Sequence, residues 1–192
     1  MFPELTRDDV FRIETAHLWL RWPRAVDARD FARLASDQEA MKQTSCLLAP
    51  FDAFTADDFV IGARRANAQS EGMVLALAPR QDPSAFLGMA GVQAKGDGAT
   101  LVLGYWLGRP YRGQGLMREA IEALVDMALV LTDAKEIETP SSEKMPEAAI
   151  HMLASFGFPP SGTDGLTRIT RNGWLRARSQ AASRIAWPLV AA

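Results

Sequence analysis

The chain has 192 residues, 48% of them hydrophobic, enough to bury one substantial core but short for two, so residues 1–192 are expected to form a single domain. Charged residues make up 23% and the formal net charge is −2, which gives no general attraction to the polyanionic backbone of nucleic acids. A single cysteine, Cys46, excludes an intramolecular disulfide and a cysteine-rich metal site; no metal is expected, and a reducing, cytoplasmic compartment fits. Glu4, Arg7, Asp8, Asp9, Arg12 and Glu14 break up the N-terminal stretch too densely for a secretory signal, and no apolar run reaches the ~18 residues that cross a bilayer, so no membrane partner is expected.

In chain order, the aromatic and apolar run Ala16–Trp22 ends at Pro23 and reads as a strand, and Ala25–Ser36 alternates Val26, Phe31 and Leu34 with charges, as an amphipathic helix does. Thr55, followed by Asp57 and Asp58, suits the cap of a second helix reaching about Gln69. Met73–Ala78, Ala85–Ala94 and Thr100–Leu107 read as three strands joined by turn-prone links, hence an antiparallel meander. Leu116, Ala120, Leu124 and Ala128 recur every fourth residue and predict a long helix. A strand near Glu136–Thr139 and a helix from about Glu147 to Phe156, stopped by Gly157, come next. In the tail, Asn172-Gly173 reads as a hairpin turn and Ile185–Val190 as an apolar strand. Strand, two helices, three strands, helix, strand, helix and two strands make an α+β domain with a mixed sheet.

The segment Gly104–Arg118 joins a buried strand to the long helix and carries Arg109, Arg112 and Arg118 with no acid. Gly113 and Gly115 allow the backbone to approach a ligand closely, and the helix start offers unpaired N–H groups and a positive dipole end to a pyrophosphate. A dinucleotide fingerprint needs a glycine where Arg118 stands, and a triphosphate loop needs Gly-Lys-Ser or Gly-Lys-Thr, which is absent.

Arg112-Gly113-Gln114-Gly115-Leu116 resembles the Arg/Gln-x-x-Gly-x-Gly/Ala loop of the Gcn5-related N-acetyltransferases (GNAT), and Gly104-Tyr105-Trp106-Leu107 is similar to the strand before that loop. Leu153-Ala154-Ser155-Phe156-Gly157-Phe158 is similar to the end of the family's second cofactor motif, and Leu18-Trp19-Leu20-Arg21 to the opening of the branch that acetylates ribosomal-protein N-termini. The resemblance covers about residues 15–158, leaving 1–14 as an N-terminal extension. It implies a mixed, mostly antiparallel seven-stranded sheet with splayed fourth and fifth strands, flanked by four helices. It further implies acetyl-coenzyme A as cosubstrate, with pantetheine on the backbone of Trp106 and Leu107. The pyrophosphate would lie on the amides of Gly113, Gln114, Gly115, Leu116 and Met117, with Arg112 at its rim. Dimers are common in that branch, so a homodimer is an expectation of the resemblance alone.

Several positions depart from the family pattern. Met117 replaces a small residue of the loop, Pro146 and Ala149 replace an Asn and a Ser, Leu153 replaces a Tyr acid, and Val102 replaces a Glu base. Glu138, beside the splay, is the candidate base, ahead of His151 and His17, which read as surface or core residues. Tyr105, Trp19 and Trp22 read as packing residues. Met41, Phe51 and Phe54 lie where this fold builds its acceptor site and would make it apolar. Two readings stay open: acetyl transfer to a primary amine, on a protein N-terminus or a small molecule, and a weakly catalytic or non-catalytic acyl-CoA-binding or regulatory domain. An interaction protein without a ligand would leave the glycine loop unexplained.

Overall fold

The computed structural model describes residues 1–36, 52–141, 145–160 and 164–185. Strands β1 (Arg12–Glu14), β2 (Leu18–Arg21), β3 (Gly72–Pro79), β4 (Gly88–Lys95), β5 (Thr100–Leu107), β6 (Glu136–Pro140) and β7 (Leu166–Thr170) lie side by side in that order in one sheet. Every neighbouring pair is antiparallel except β5 and β6. Among the described residues five α-helices accompany it: α1 (Asp27–Ala35), α2 (Ala53–Ala68), α3 (Leu116–Leu131), α4 (Glu147–Ser155) and α5 (Arg171–Ile185). The expected mixed α+β sheet of seven strands is present.

Strand β3 is buried on both faces because its alternate side chains feed two cores. Leu75 and Leu77 join Leu103, Ile121 and Leu124 under α3, while Val74 and Ala76 join Phe31, Val60 and Trp106 under α1 and α2. A sheet covered on both faces gives near-continuous apolar runs rather than alternation. The start of α1 is anchored by a buried pair: Arg21 donates to both oxygens of Asp27 at 2.7 and 2.8 Å. The remaining Arg21 donors reach the carbonyls of Trp22, Pro83 and Ala85, tying β2 to the β3–β4 link.

The tail differs from its sequence reading. Asn172 and Gly173 lie in the first turn of α5, not in a hairpin, because the Thr170 hydroxyl accepts from the Gly173 N–H at 3.1 Å and caps the helix. Gly173 serves packing here, since a Cβ on it would stand 2.9 Å from Ile169. Trp174 is fully buried 5.1 Å from Phe156 and donates to Asp126 at 2.7 Å, and Arg171 caps the end of α3 by donating to the Leu129 and Thr132 carbonyls. The predicted strand Ile185–Val190 falls beyond the described residues apart from Ile185, the last residue of α5. The seventh strand is instead β1, three residues long and with only Ile13 buried. At the start of α2 the cap is Asp52, which accepts from the Thr55 N–H at 2.8 Å, rather than Thr55 itself.

Candidate cofactor cleft

The only parallel pairing in the sheet is short. Thr100, Leu101 and Val102 of β5 face Glu136, Ile137 and Glu138 of β6, and beyond Val102 the two strands part. Strand β5 continues to Leu107 with β4 on its other side. Opposite β5, Met145, Pro146 and the cleft-facing residues of α4 line the gap. A cleft of about 540 Å³ opens in the gap, walled by Leu103–Leu107, by Thr139 and Pro140, and by Met145, Ala149 and Met152. These are the fourth and fifth strands of the sequence reading, and they splay as expected.

At the mouth of the cleft a single turn of 3-10 helix, Arg109–Tyr111, leads to Gly113 and Gly115, with φ of +75° and +79°. Side chains rarely adopt such angles, and a Cβ at either position would meet nothing within 4 Å, so the glycines serve backbone shape rather than packing. Gly115 is the N-cap of α3 and offers no side-chain acceptor. The first helical bond runs from the Glu119 N–H to the Gly115 carbonyl, and no backbone carbonyl among the described residues accepts from the N–H groups of residues 113–118. An uncapped helix start with a run of free donors fits a pyrophosphate. Arg112 and Arg118 line the same cleft; Arg112 donates to the Leu107 carbonyl at 2.9 Å, which fastens the turn to the end of β5.

Of the residues expected at the cofactor, Trp106, Leu107, Arg112, Gly113, Gly115, Leu116 and Met117 come together around this cleft. Met117 also packs against the core under α3, which accounts for a long side chain in the loop. Gln114 stands apart, its amide donating to the Pro110 carbonyl at 3.2 Å on the exposed side of the turn. Tyr111, Met145 and Met152 were not singled out in the sequence; Arg118, counted there only among the three arginines of the segment, also lines the cleft, one turn after Gly115.

Glu138 lies outside the cleft lining. It is 4% exposed, and its two oxygens meet Lys95 at 2.6 Å and Arg168 at 3.2 Å. His151 does line the cleft, exposed and 3.3 Å from Glu147. His17 does not line the cleft; it pairs with Glu119 of α3 at 2.8 Å. Phe54 is exposed on α2 and away from the cleft, and Met41 and Phe51 lie outside the described residues. No carboxylate lines the cleft among the described residues, and no group of side chains there could hold a metal ion.

A splayed parallel pair beside a glycine turn and an uncapped helix defines an acyl-coenzyme A transferase architecture. The family model described as an acetyltransferase (GNAT) domain matches residues 17–158, and the chain belongs to that family, with acetyl-coenzyme A as the cosubstrate. Solved structures share the fold at low identity. RimJ of Mycobacterium smegmatis in complex with CoA-disulfide is 18% identical at a TM-score of 0.69, covering 87% of this chain and 89% of that one. The ribosomal L7/L12 alpha-N-protein acetyltransferase RimL is 15% identical at 0.68, with 84% and 93% covered. A putative acetyltransferase from T. thermophilus is 18% identical at 0.72, with 97% and 99% covered. No curated protein sequence matches the chain. No helix among the described residues is long and apolar enough to cross a membrane.

Proposed function

We propose that the chain transfers an acetyl group from acetyl-coenzyme A to a primary amine in the cytoplasm, and that an α-amine, of a protein N-terminus or a small molecule, is the preferred acceptor. The run of unbonded N–H groups at the uncapped start of α3, opening into the gap between β5 and β6, carries this reading. In the reaction the amine nitrogen forms a bond to the thioester carbonyl carbon, the carbon–sulfur bond breaks, and the thiolate leaves. The chain's part is to hold the pyrophosphate on the amides of residues 113–117, with Arg112 and Arg118 adding charge, and to aim the arm along β5. The apolar wall of Met145, Ala149 and Met152 keeps water from the thioester.

The preference for an α-amine follows from the absence of a carboxylate along the described lining. With no carboxylate along the described lining, the ammonium loses its first proton to water and the amine reacts as its own free base; the second proton, on the attacking nitrogen, is carried off by the leaving thiolate. An α-amino group titrates near ~7.8 and a lysine near ~10.4, so at neutral pH the former is about 300-fold richer in the reactive form. Glu138 is assigned a structural part, because both of its oxygens are already taken by cations. RimJ and RimL, the latter named as an α-N-protein acetyltransferase, lend the assignment support by fold.

Thiol release is followed with a peptide bearing a free N-terminus and with the same peptide blocked there but carrying a lysine. The free N-terminus should react about two orders of magnitude faster at neutral pH. Equal rates would remove the α-amine preference. Release no faster than uncatalysed with any amine would favour the second reading, a domain that binds acyl-coenzyme A without turning it over.

A further inference from the structure

We propose a second binding site, for a compact oxyanion of two charges, in a groove between the β1–β2 hairpin and α2. The groove measures about 320 Å³ and shares no lining residue with the cofactor cleft; β3 and β4 separate its strand β2 from β5. In a chain of net charge −2, four arginines, Arg12, Arg21, Arg24 and Arg64, line it against a single acid, Asp9.

The arginines divide by what already occupies them. Arg21 is spent on Asp27 and three carbonyls and forms the floor. Arg12 lies over the Trp19 ring at 4.6 Å and Arg64 over the Trp22 ring at 5.2 Å. Both indoles are pinned in turn: Trp19 donates to the Arg80 carbonyl and Trp22 to the Thr6 carbonyl, at 3.1 and 3.2 Å. Arg64 also donates to the Pro23 carbonyl at 2.7 Å. These contacts hold the two guanidinium groups in place before any ligand arrives, which lowers the ordering cost of binding. Neither Arg12 nor Arg24 has an ion-pair partner among the described residues. The planar guanidinium groups of Arg12, Arg24 and Arg64, lining one groove, match the oxygens of phosphate or of a dicarboxylate. The groove already admits a carboxylate at its edge, since Asp9 approaches Arg64 to 3.7 Å.

The test titrates the full chain, saturated with coenzyme A so that the start of α3 is filled, with inorganic phosphate and separately with malonate, by calorimetry and by the indole N–H resonances. Saturable binding of either anion is expected, and the one bound more tightly shows whether phosphate esters or dicarboxylates are the source. Arg12→Ala and Arg24→Ala should each weaken it about tenfold. Asp9→Asn should tighten it by removing a competing carboxylate, a gain that damage to the fold would not produce. Failure of both anions to saturate, or unchanged affinity in all three variants, would overturn the proposal.

Discussion

His17, just before strand β2, is joined to Glu119 in the first turn of α3: the His17 N–H donates to one Glu119 oxygen at 2.7 Å and its ring Nδ1 meets the other at 2.8 Å. Burial pushes the Glu119 carboxyl up, but hydrogen bonds from Thr15, from the His17 N–H and from its ring outweigh it. The group is held below the usual glutamate value of 4.5. A carboxyl lowered in the folded state contributes stability that is present above 4.5 and lost as pH falls through its folded value. Melting temperature should therefore drop on acidification below that point, and Glu119→Gln should flatten the drop. Parallel curves for the two proteins would refute the linkage.

Gly115 separates charge from shape at the helix start. A side chain there has open space but must accept a φ of +79°, which Asn and Asp tolerate about equally. Gly115→Asn should cost acetyl-coenzyme A little affinity beyond strain, whereas Gly115→Asp should bind at least about tenfold more weakly than the Asn variant by repelling the pyrophosphate. In wild type, cosubstrate at ~100 times its Kd adds about 2.7 kcal/mol of stability. A thermal shift of equal size in both variants would mean that α3 does not hold the pyrophosphate.

Replacing Glu138 with Gln tests whether its carboxylate is structural. The change removes the acceptor shared by Lys95 and Arg168 at a site 4% exposed. A loss of about 1–3 kcal/mol is expected, with thiol release per folded molecule unchanged at every pH. A large fall in release with an unaltered melting temperature would make Glu138 the base after all.

Asp27→Ala leaves the Arg21 guanidinium buried without its carboxylate. Loss of one partner of a buried pair costs about 3–5 kcal/mol, and for a chain of this size that is a fall in Tm of roughly 6–20 °C. Thermal denaturation checks it, and a change of only a degree or two would show that the three carbonyls on Arg21 suffice.

The sequence made the centre of the molecule readable and its ends less so. The four-residue rhythm of Leu116, Ala120, Leu124 and Ala128 and the glycine turn before it are local signals, and the helix and the turn appear where they were expected. Hairpin and helix share Asn172-Gly173, and what decides between them is tertiary: a Thr170 cap, a Trp174 side chain buried on Phe156, and a Gly173 crowded by Ile169. Strand β1 eluded pattern reading because three residues with one buried side chain have no period. Glu138 suggested a base because it sits beside the splay; its occupation by Lys95 and Arg168 depends on residues 43 and 30 positions away, which no local pattern reveals.

The early parting of β5 from β6 has a consequence for handling the protein. Among the described residues β6 pairs with β5 only as far as Val102, so beyond that point the sheet is left incomplete on that flank of β5. The pantetheine arm, with its own amide groups, would lie there as a surrogate strand. Preparations kept with coenzyme A should accordingly stay monodisperse longer than ligand-free ones, and the backbone amides of that flank should be the first to gain protection from hydrogen exchange when it is added.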